Sequence, residues 1–337
     1  MSISIKLFFR KPGISHFSIE GLFRALIAHL PADVCIDCCI CPKPSRGLFK
    51  RLANLWRAYR IQGEVNHITG DVHYLAIVLN PKRTILTVHD CATLDRLKGW
   101  RRIIYKFFWF DWPLRRASWV TVISRATRDH LLENTKVDPR KIRIIPDCIS
   151  ESFTKVGHIF NSVNPRILQI GTSYNKNIER VAEALRGLNC NLRIIGPLSK
   201  SQEKALVSAK IEFTTTVNLT EQALIEEYCA SDLVVFASTI EGFGMPILEA
   251  QAVGRVVVTS DCSSMPEVAG KGACLVDPFD VSSIRQGVIR VIEDETYRSS
   301  LILAGFENIN KYSVSVIAMK YDALYRTVAQ ENKSNQR

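Results

Sequence analysis

Residues 233–254 read LVVFASTIEGFGMPILEAQAVG and indicate the fold more strongly than any other stretch of this sequence. A short apolar run typical of a buried strand leads into a glycine loop, and a proline then marks the first turn of a helix. Gly242 and Gly244 allow the backbone to approach a ligand closely, and a helix N-terminus directs its amides toward an anion. Because Glu241 lies in the loop and Glu249 in the helix, we expect them to reach different ends of one bound molecule.

Two other interpretations fit parts of this stretch. A plain strand, turn and helix with two solvated glutamates needs no ligand at all. A dinucleotide-binding fingerprint needs a third glycine at the position of Ile247, and no suitable carboxylate follows a second strand. The pattern therefore argues against a nicotinamide cofactor.

Strand-like runs alternate with helical stripes along the chain, as in α/β proteins with parallel sheets. We predict two Rossmann-like domains, residues 1–155 and 156–337, because periodicity lapses near residues 151–165. A last helix at about 312–330 is expected to pack back on the first domain, and ligands to bind at the strand ends. The predicted strands are 3–9, 34–40, 65–68, 84–88, 119–123, 142–145, 167–170, 192–195, 211–215, 233–237, 256–259 and 274–276.

Composition excludes several classes of protein. With 47% hydrophobic and 23% charged residues among 337, the sequence is typical of a soluble globular chain of about two domains. No apolar run reaches the roughly 18 residues that span a bilayer, and the first residues predict a strand rather than a signal peptide. Ten cysteines in a chain of this size indicate a reducing compartment, so we expect the cytoplasm.

The positive charge is concentrated in the first half. Residues 1–150 hold 25 Lys and Arg against 12 Asp and Glu, whereas residues 151–337 hold 19 against 21. The first domain is therefore expected to meet an acidic partner.

Two basic stretches account for much of this charge. RGLFKRLANLWRAYR (46–60) has five basic residues and no acid, and KGWRRIIYKFFWFDWPLRR (98–116) has six basic residues with Asp111 as its only acid. Both suit peripheral contact with an anionic membrane. For 98–116 we favour packing of its apolar stripe on the domain's own sheet, because it precedes a core strand. Nucleic acid is not expected, since no known binding module accompanies the charges.

Cysteines and histidines offer weaker candidates. The run VCIDCCIC (34–41) spaces its cysteines like metal ligands, but neighbours in a strand point to opposite faces and cannot converge on one ion. We therefore predict no metal there. His67 and His73 either line the ligand cleft or flank a Gly70-Asp71 turn.

The donor-side stretches resemble the retaining GT-B glycosyltransferases of family 4 (group 1). EGFGMPILEA (241–250) and VGRVVVTSDCSSMPEVAGKGACLVDP (253–278) carry the likeness, and ILQIGTSYNKNIERVAEAL (167–185) is similar to the family's strand, glycine loop and Lys-Asn helix start. TVHD, WVTVISRATRDHL and KIRIIPD are weaker matches in the first half. The resemblance implies the GT-B fold, two Rossmann-like domains facing a central cleft.

The resemblance also implies roles for individual residues. Lys176 would contact the diphosphate of a nucleotide-sugar, Glu249 the ribose, and Glu241 the transferred sugar, which His89 would reach from the other domain. By themselves, His89 is equally well explained as a packed structural histidine and Lys176 as a surface lysine. The donor-binding set implied by the resemblance is Gly171, Thr172, Lys176, Gly242, Phe243, Gly244, Met245, Pro246 and Glu249.

The chain departs from the family in three places. Thr172 stands where many relatives have arginine, and Asp147-Cys148 replaces an Asn-Gly hinge. The glycine loop after the first strand is reduced to Gly13, which with His16 is the candidate acceptor side. The sequence also has no Asp-x-Asp, which favours transfer without a metal cofactor.

The implied activity is that of a retaining, metal-independent hexosyltransferase. It would transfer a hexose from a nucleotide-sugar to a lipid-linked or cell-surface polysaccharide acceptor, as in lipopolysaccharide assembly, with peripheral contact at the inner face of the cytoplasmic membrane. The His-Asp pair at 89–90 favours GDP-mannose over UDP-linked hexoses. A nucleotide-sugar epimerase or hydrolase on the same fold and a non-catalytic basic binding protein are the alternatives.

Overall fold

The computed structural model describes residues 2–12 and 18–334. The chain forms two compact units. Unit 1 comprises Met1–Cys148 and Val314–Arg337, and unit 2 comprises Ile149–Ser313. The chain therefore passes from one unit to the other twice.

The first of these passages falls between Cys148 and Ile149, a few residues before the boundary expected at 155. The irregular segment that follows belongs to unit 2, since its backbone bonds to that unit. The Asn161 amide donates to Asp232 Oδ1 at 2.8 Å, and the Val156 amide donates to the Val253 carbonyl at 3.3 Å. Side chains and loops thus satisfy a backbone that forms no helix or strand of its own.

Unit 1 contains one parallel sheet of six strands in the order β2-β1-β3-β4-β5-β6. Its central strands are buried on both faces, as in other parallel sheets covered by helices. The strands are β1 Ile3–Phe9, β2 Val34–Ile40, β3 Val65–Ile68, β4 Thr84–Val88, β5 Trp119–Val122 and β6 Ile142–Ile144. The helices are α1 Ser18–Ala28, α2 Leu48–Arg60, α3 Ala92–Arg96, α4 Gly99–Lys106, α5 Trp112–Arg116, α6 Arg125–Asn134 and α14 Val314–Ser334.

Unit 2 contains a second parallel sheet of six strands, in the order β12-β11-β10-β7-β8-β9. The strands are β7 Arg166–Ile170, β8 Asn191–Ile195, β9 Glu212–Thr216, β10 Leu233–Phe236, β11 Val256–Ser260 and β12 Cys274–Val276. The helices are α7 Ile178–Leu185, α8 Lys200–Ser208, α9 Glu221–Cys229, α10 Met245–Val253, α11 Met265–Ala269, α12 Val281–Glu293 and α13 Glu295–Ile309. The predicted α/β class with two parallel sheets is confirmed.

The sheet order of unit 2 brings two loops together. Strand β7 pairs with β8 on one side and with β10 on the other, so the strand order reverses between β7 and β10. Loops that leave such neighbouring strands meet at the carboxyl edge of the sheet, where α/β proteins bind ligands. Here the Thr239 amide donates to the Asn175 carbonyl at 2.8 Å.

The stretch 98–116 packs only part of its apolar surface on the sheet, so that expectation is met in part: Phe110 and Leu114 are buried in the core cluster that includes residues of β4 and β5. It forms α4, a π-helical turn at Phe107–Asp111, and α5. Trp100 and Ile103 are 67% and 69% exposed. Arg102 adds a polar contact on α4, since its Nε donates to the Leu94 carbonyl at 3.1 Å.

Candidate functional site

The loop after β7 carries Lys176 across Gly171. Gly171 has a φ of +83°, in the left-handed region that favours glycine. A Cβ at this position would lie 2.9 Å from Lys176 Cε. The glycine therefore leaves the space through which the lysine side chain passes.

Lys176 and Glu241 form an ion pair. Lys176 Nζ donates to Glu241 Oε1 at 2.6 Å, and each side chain is 15% exposed. Asn175 Nδ2 donates to the same carboxylate oxygen at 3.0 Å, and the ammonium lies 4.3 Å from the centre of the Phe236 ring. The structure thus brings together two of the residues predicted for the site.

Asn177 holds the loop after β7 in place, and sequence reasoning gave it no separate role. It has a φ of 60°, which asparagine tolerates better than most residues. Its buried Nδ2 donates to the Ala237 carbonyl at 3.0 Å and to the Pro278 carbonyl at 2.7 Å. One amide therefore connects the loops after β7, β10 and β12, directly beside Lys176.

Replacing Asn177 with alanine is expected to destabilise unit 2 by about 2 to 4 kcal/mol, because two buried carbonyls lose their donor and alanine is strained at this φ. Urea unfolding measures the change. Asn177→Gly removes the donor but relieves the strain, and should fall between wild type and alanine. Equal stability of all three proteins would contradict this role.

The loop after β10 leads into α10 through a glycine turn. Gly244 has a φ of +113° and Pro246 occupies the first turn of α10, as predicted from the sequence. Ser264 Oγ donates to the Phe243 carbonyl at 2.6 Å, and Ser263 Oγ donates to the Glu241 carbonyl at 2.8 Å. These bonds fix the loop beside the positive end of the α10 dipole.

Glu249, also on α10, has an unusual carboxyl group. Its Oε2 accepts a hydrogen bond from Tyr228 Oη at 2.6 Å. Burial raises the pKa of Glu249 to about 7, with a further increase from Glu221, while the Tyr228 hydroxyl and the Lys176 charge oppose the rise. The charge of Lys176 is thus one of the influences on this carboxyl, whose direct hydrogen-bond partner is Tyr228.

Thr172 is occupied within its own loop. Its Oγ1 donates to the Pro197 carbonyl at 2.6 Å, and its carbonyl accepts from Gln202 Nε2 at 2.8 Å. The threonine therefore supports the loop where many relatives have arginine. The predicted acceptor-side residues Gly13 and His16 lie outside the described residues.

His89 follows β4 in unit 1 and is firmly held. Its Nε2 donates to the Thr69 carbonyl at 2.7 Å, and Nδ1 lies 3.9 Å from Asp147 Oδ1. Gly70 has a φ of +144°, and a Cβ there would lie 2.8 Å from His89 Cδ2. Burial raises the pKa of Asp147 while His89 lowers it. The imidazole is thus oriented by hydrogen bonding at the carboxyl edge of its sheet.

The other histidines belong to the core of unit 1. His67 is fully buried between Tyr325 Oη, at 2.8 Å from Nδ1, and Thr87 Oγ1, at 2.7 Å from Nε2. Burial lowers the pKa of His67 to about 3, so the ring is neutral. His73 is buried too and bonds through Nδ1 to the Trp109 carbonyl at 2.9 Å. These two residues stabilise the fold.

The cysteine run lies on β2, where its residues alternate in exposure. Cys35 and Cys38 are exposed, whereas Cys39 and Cys41 are buried. Among residues 2–12 and 18–334, no cluster of three or more His, Cys, Asp or Glu side chains is arranged to hold a metal ion.

Solved structures share this architecture along nearly the whole chain. Sucrose-phosphate synthase from Thermosynechococcus elongatus has a TM-score of 0.77 at 16% identity, covering 97% of this chain and 99% of its own. WaaG, a glycosyltransferase involved in lipopolysaccharide biosynthesis, has a TM-score of 0.68 at 14% identity, covering 96% and 99%. The two parallel six-stranded sheets are those of the GT-B fold.

Two family models match consecutive parts of the sequence. Glycosyl transferases group 1 matches residues 155–307, and Glycosyltransferase Family 4 matches residues 37–153. The chain belongs to the group 1, family 4 glycosyltransferases, as the resemblance indicated.

Curated relatives are similar over shorter stretches. The O-antigen chain mannosyltransferase B of Escherichia coli is 36% identical over 86 residues, which are 26% of this chain and 23% of the relative. The serotype-specific mannosyltransferase WbdA of Escherichia coli is 25% identical over 268 residues, 69% of this chain and 32% of the relative. The chain thus spans about a third or less of the length of these relatives.

Proposed function

We propose that this chain is a retaining glycosyltransferase that transfers a hexose from a nucleotide-sugar to a lipid-linked or cell-surface polysaccharide acceptor. The observation that supports it best is the 2.6 Å ion pair of Lys176 with Glu241, whose loop leads into α10, the helix that carries Glu249. An ammonium group, the N-terminus of α10 and two carboxylates suit a ligand that carries a diphosphate and several hydroxyls.

Donor binding would exchange the partners within this site. The diphosphate would compete with Glu241 for the ammonium of Lys176, because both are anions. Released from the ion pair, Glu241 would accept hydrogen bonds from hydroxyls of the sugar, and Glu249 from those of the ribose. Further donor contacts would come from Gly171, Thr172, Gly242, Phe243, Gly244, Met245 and Pro246.

The chemical step needs charge stabilisation at the leaving group. As the bond from the sugar to the diphosphate breaks, negative charge grows on the phosphate, and Lys176 with the positive end of α10 would stabilise it without a metal cofactor. For retention of configuration, the acceptor would attack the face that the leaving phosphate vacates, and that phosphate would take the acceptor's proton. His89 is a further residue that would contact the transferred sugar.

The names of the relatives support mannose as the sugar. Among them are the O-antigen chain mannosyltransferase RfbU of Salmonella typhimurium, at 26% identity over 219 residues, and the phosphatidyl-myo-inositol mannosyltransferase of Mycobacterium tuberculosis, at 34% over 95 residues. We therefore propose GDP-mannose as donor and a lipid-linked glycan as acceptor. Such donors and acceptors meet in the cytoplasm, at the inner face of the membrane, which is the location we propose.

Donor binding is expected to raise the melting temperature of unit 2. A ligand at about 100 times its Kd stabilises the folded state by about 2.7 kcal/mol, which corresponds to roughly 5 °C or more for a unit of this size. Thermal shifts with GDP-mannose, UDP-glucose, GDP and UDP rank the donors, and we expect GDP-mannose to give the largest shift.

The thermal-shift screen with site variants, and an assay of donor consumption, separate a glycosyltransferase from the alternative functions. Lys176→Met should reduce the shift, whereas Lys271→Met, an exposed lysine of the same unit, should leave it intact. Consumption of the donor without any acceptor would indicate a hydrolase or epimerase. If no nucleotide or nucleotide-sugar shifts the melting temperature, the proposed function is wrong.

A further inference from the structure

Helix α2 presents its large apolar side chains to solvent. Phe49 is 85% exposed and Trp56 63%, while the buried residues of the helix are Asn54 and Ala58. Asn54 Nδ2 donates to the Lys43 carbonyl at 2.9 Å and to Tyr74 Oη at 2.8 Å. Leu55 also packs against the core of unit 1, but the largest apolar side chains of the helix are turned outward. The exposed apolar residues of α2 are Leu48, Phe49, Leu52, Trp56 and Tyr59.

A second apolar surface follows on α4 and the π-helical turn. Phe107, Phe108 and Trp112 form an exposed aromatic cluster, with ring centres 5.1 to 6.0 Å apart. Trp100, Ile103 and Ile104 are exposed beside it on α4. Monomeric proteins rarely leave so many neighbouring large apolar residues in water, and such patches mark interaction surfaces.

The two surfaces adjoin within unit 1. The guanidinium of Arg51, on α2, lies 4.5 Å from the centre of the Trp109 ring, in the π-helical turn. We call the exposed apolar residues of 48–59 and 100–112 together the apolar face. None of the helices in the described part of the chain combines the length and the hydropathy that a bilayer crossing requires.

Basic side chains accompany this face almost without acids. Stretch 46–60 has five basic residues and stretch 98–116 has six. The one acid in them is Asp111, whose Oδ2 lies 3.7 Å from Lys106 Nζ. Arg60 and Arg101 lie over the rings of Trp56 and Trp100, at 4.9 and 5.5 Å. Positive charge around exposed tryptophan, phenylalanine and isoleucine is the composition of segments that lie in a membrane interface.

We propose that the apolar face docks unit 1 onto an anionic phospholipid bilayer. Its rings and aliphatic side chains would enter the boundary between headgroups and acyl chains, and its lysines and arginines would meet lipid phosphates. A second copy fits poorly, because association through this face would set two basic surfaces against each other. Nucleic acid would use the charges but leaves the leucines and isoleucines without a partner. The proposal does not depend on the reaction in unit 2.

Vesicle co-sedimentation of the full chain tests this directly. We expect binding to vesicles of phosphatidylcholine with about one third phosphatidylglycerol, much weaker binding to phosphatidylcholine alone, and a loss of affinity with added salt. The double variants Phe49→Ser/Trp56→Ser and Trp100→Ser/Phe108→Ser should each weaken binding about tenfold or more. Lys50→Ala/Arg57→Ala should weaken it about fivefold for each charge removed.

A matched control carries the same kind of change elsewhere. Ile159 is 94% and Leu303 63% exposed on unit 2, so Ile159→Ser/Leu303→Ser should bind vesicles like wild type. Because all these side chains are exposed, melting temperatures should stay within a few degrees, which checks that the variants fold.

Four results would overturn the proposal. The first is no preference for anionic vesicles. The second is vesicle binding that survives both aromatic double variants. The third is a wild-type protein that does not bind vesicles and sediments as a dimer, together with aromatic double variants that sediment as monomers. Binding of duplex DNA that the aromatic variants retain, without vesicle binding, would likewise assign the charges to a nucleic acid.

Discussion

Replacing Lys176 with methionine is expected to slow sugar transfer by about a hundred- to a thousandfold, the usual effect of losing one group that stabilises transition-state charge. Methionine keeps the length of the side chain but removes the ammonium that lies 2.6 Å from Glu241. Stability should fall by about 1 to 3 kcal/mol, because the Glu241 carboxylate is only 15% exposed and keeps Asn175 as a donor after the ammonium is lost. Single-turnover assays with GDP-mannose and a lipid-linked acceptor measure the step.

Two companions make this result specific. Lys271→Met, in the same unit, should transfer sugar at the wild-type rate. In a double variant, adding Glu241→Gln to Lys176→Met should cost less than Glu241→Gln does alone, since both act on one ligand. A Lys176→Met protein with the wild-type rate would show that this lysine is only a surface residue with a neighbour.

Glu249 is expected to make nucleotide binding depend on pH. Its carboxyl titrates with a pKa of about 7, so the ionised form that accepts bonds from ribose hydroxyls grows between about pH 6 and pH 8. The affinity of the wild-type protein for the nucleotide should therefore increase from pH 6 to pH 8. In Glu249→Gln it should be about tenfold or more weaker at pH 8 and independent of pH. Calorimetry with GDP-mannose at several pH values measures both effects, because its doubly esterified diphosphate has no group that titrates near pH 7, unlike the terminal phosphate of GDP.

The same carboxyl predicts a change in stability of a defined sign. The folded-state pKa of about 7 lies above the ordinary value of 4.5. The stability that Glu249 contributes is thus present below about pH 4.5 and is lost as the pH rises through 7. At pH 8 Glu249→Gln should be more stable than wild type by up to about 3 kcal/mol, and near pH 5 by little.

Urea unfolding at both pH values checks this sign. Tyr228→Phe serves as the control, because it removes the hydroxyl that favours the ionised form while leaving the carboxyl in place. It should lose stability at pH 8 relative to wild type. Equal stability of wild type and Glu249→Gln at every pH would contradict the raised pKa.

The sequence predicted those elements whose apolar residues follow a clear period. Strands β1 to β4 have the predicted bounds, because each is a short apolar run next to a turn. Helix α13 was not predicted, since it buries Arg298, Gly305 and Asn308 together with Leu301. Likewise α2 buries Asn54 and packs Leu55 on the core, whereas Leu48 and Leu52 of the same apolar stripe are exposed. Periodicity shows where apolar residues recur, and in these two helices polar side chains share the inner contacts with them.

The candidate site shows the same division. The glycines, the proline and the loop–helix pattern indicated Glu241 and Glu249, and the family resemblance added Lys176, which the structure pairs with Glu241. The roles of Asn177 and Tyr228 depend on carbonyls and carboxyls from distant parts of the chain, such as the Pro278 carbonyl. Nothing in the local sequence around either residue encodes such a partner.

The double passage of the chain between units has a consequence for biosynthesis. Helix α14 supplies Ile317, Tyr321 and Tyr325 to the same core as strand β1, and Tyr325 bonds to His67 from 258 residues away. On the ribosome, unit 2 emerges as one uninterrupted segment and can close while unit 1 still waits for its final helix. A nascent chain halted at Ser313 would therefore carry a folded unit 2 and a unit 1 with an uncovered hydrophobic core, which chaperones would have to shield.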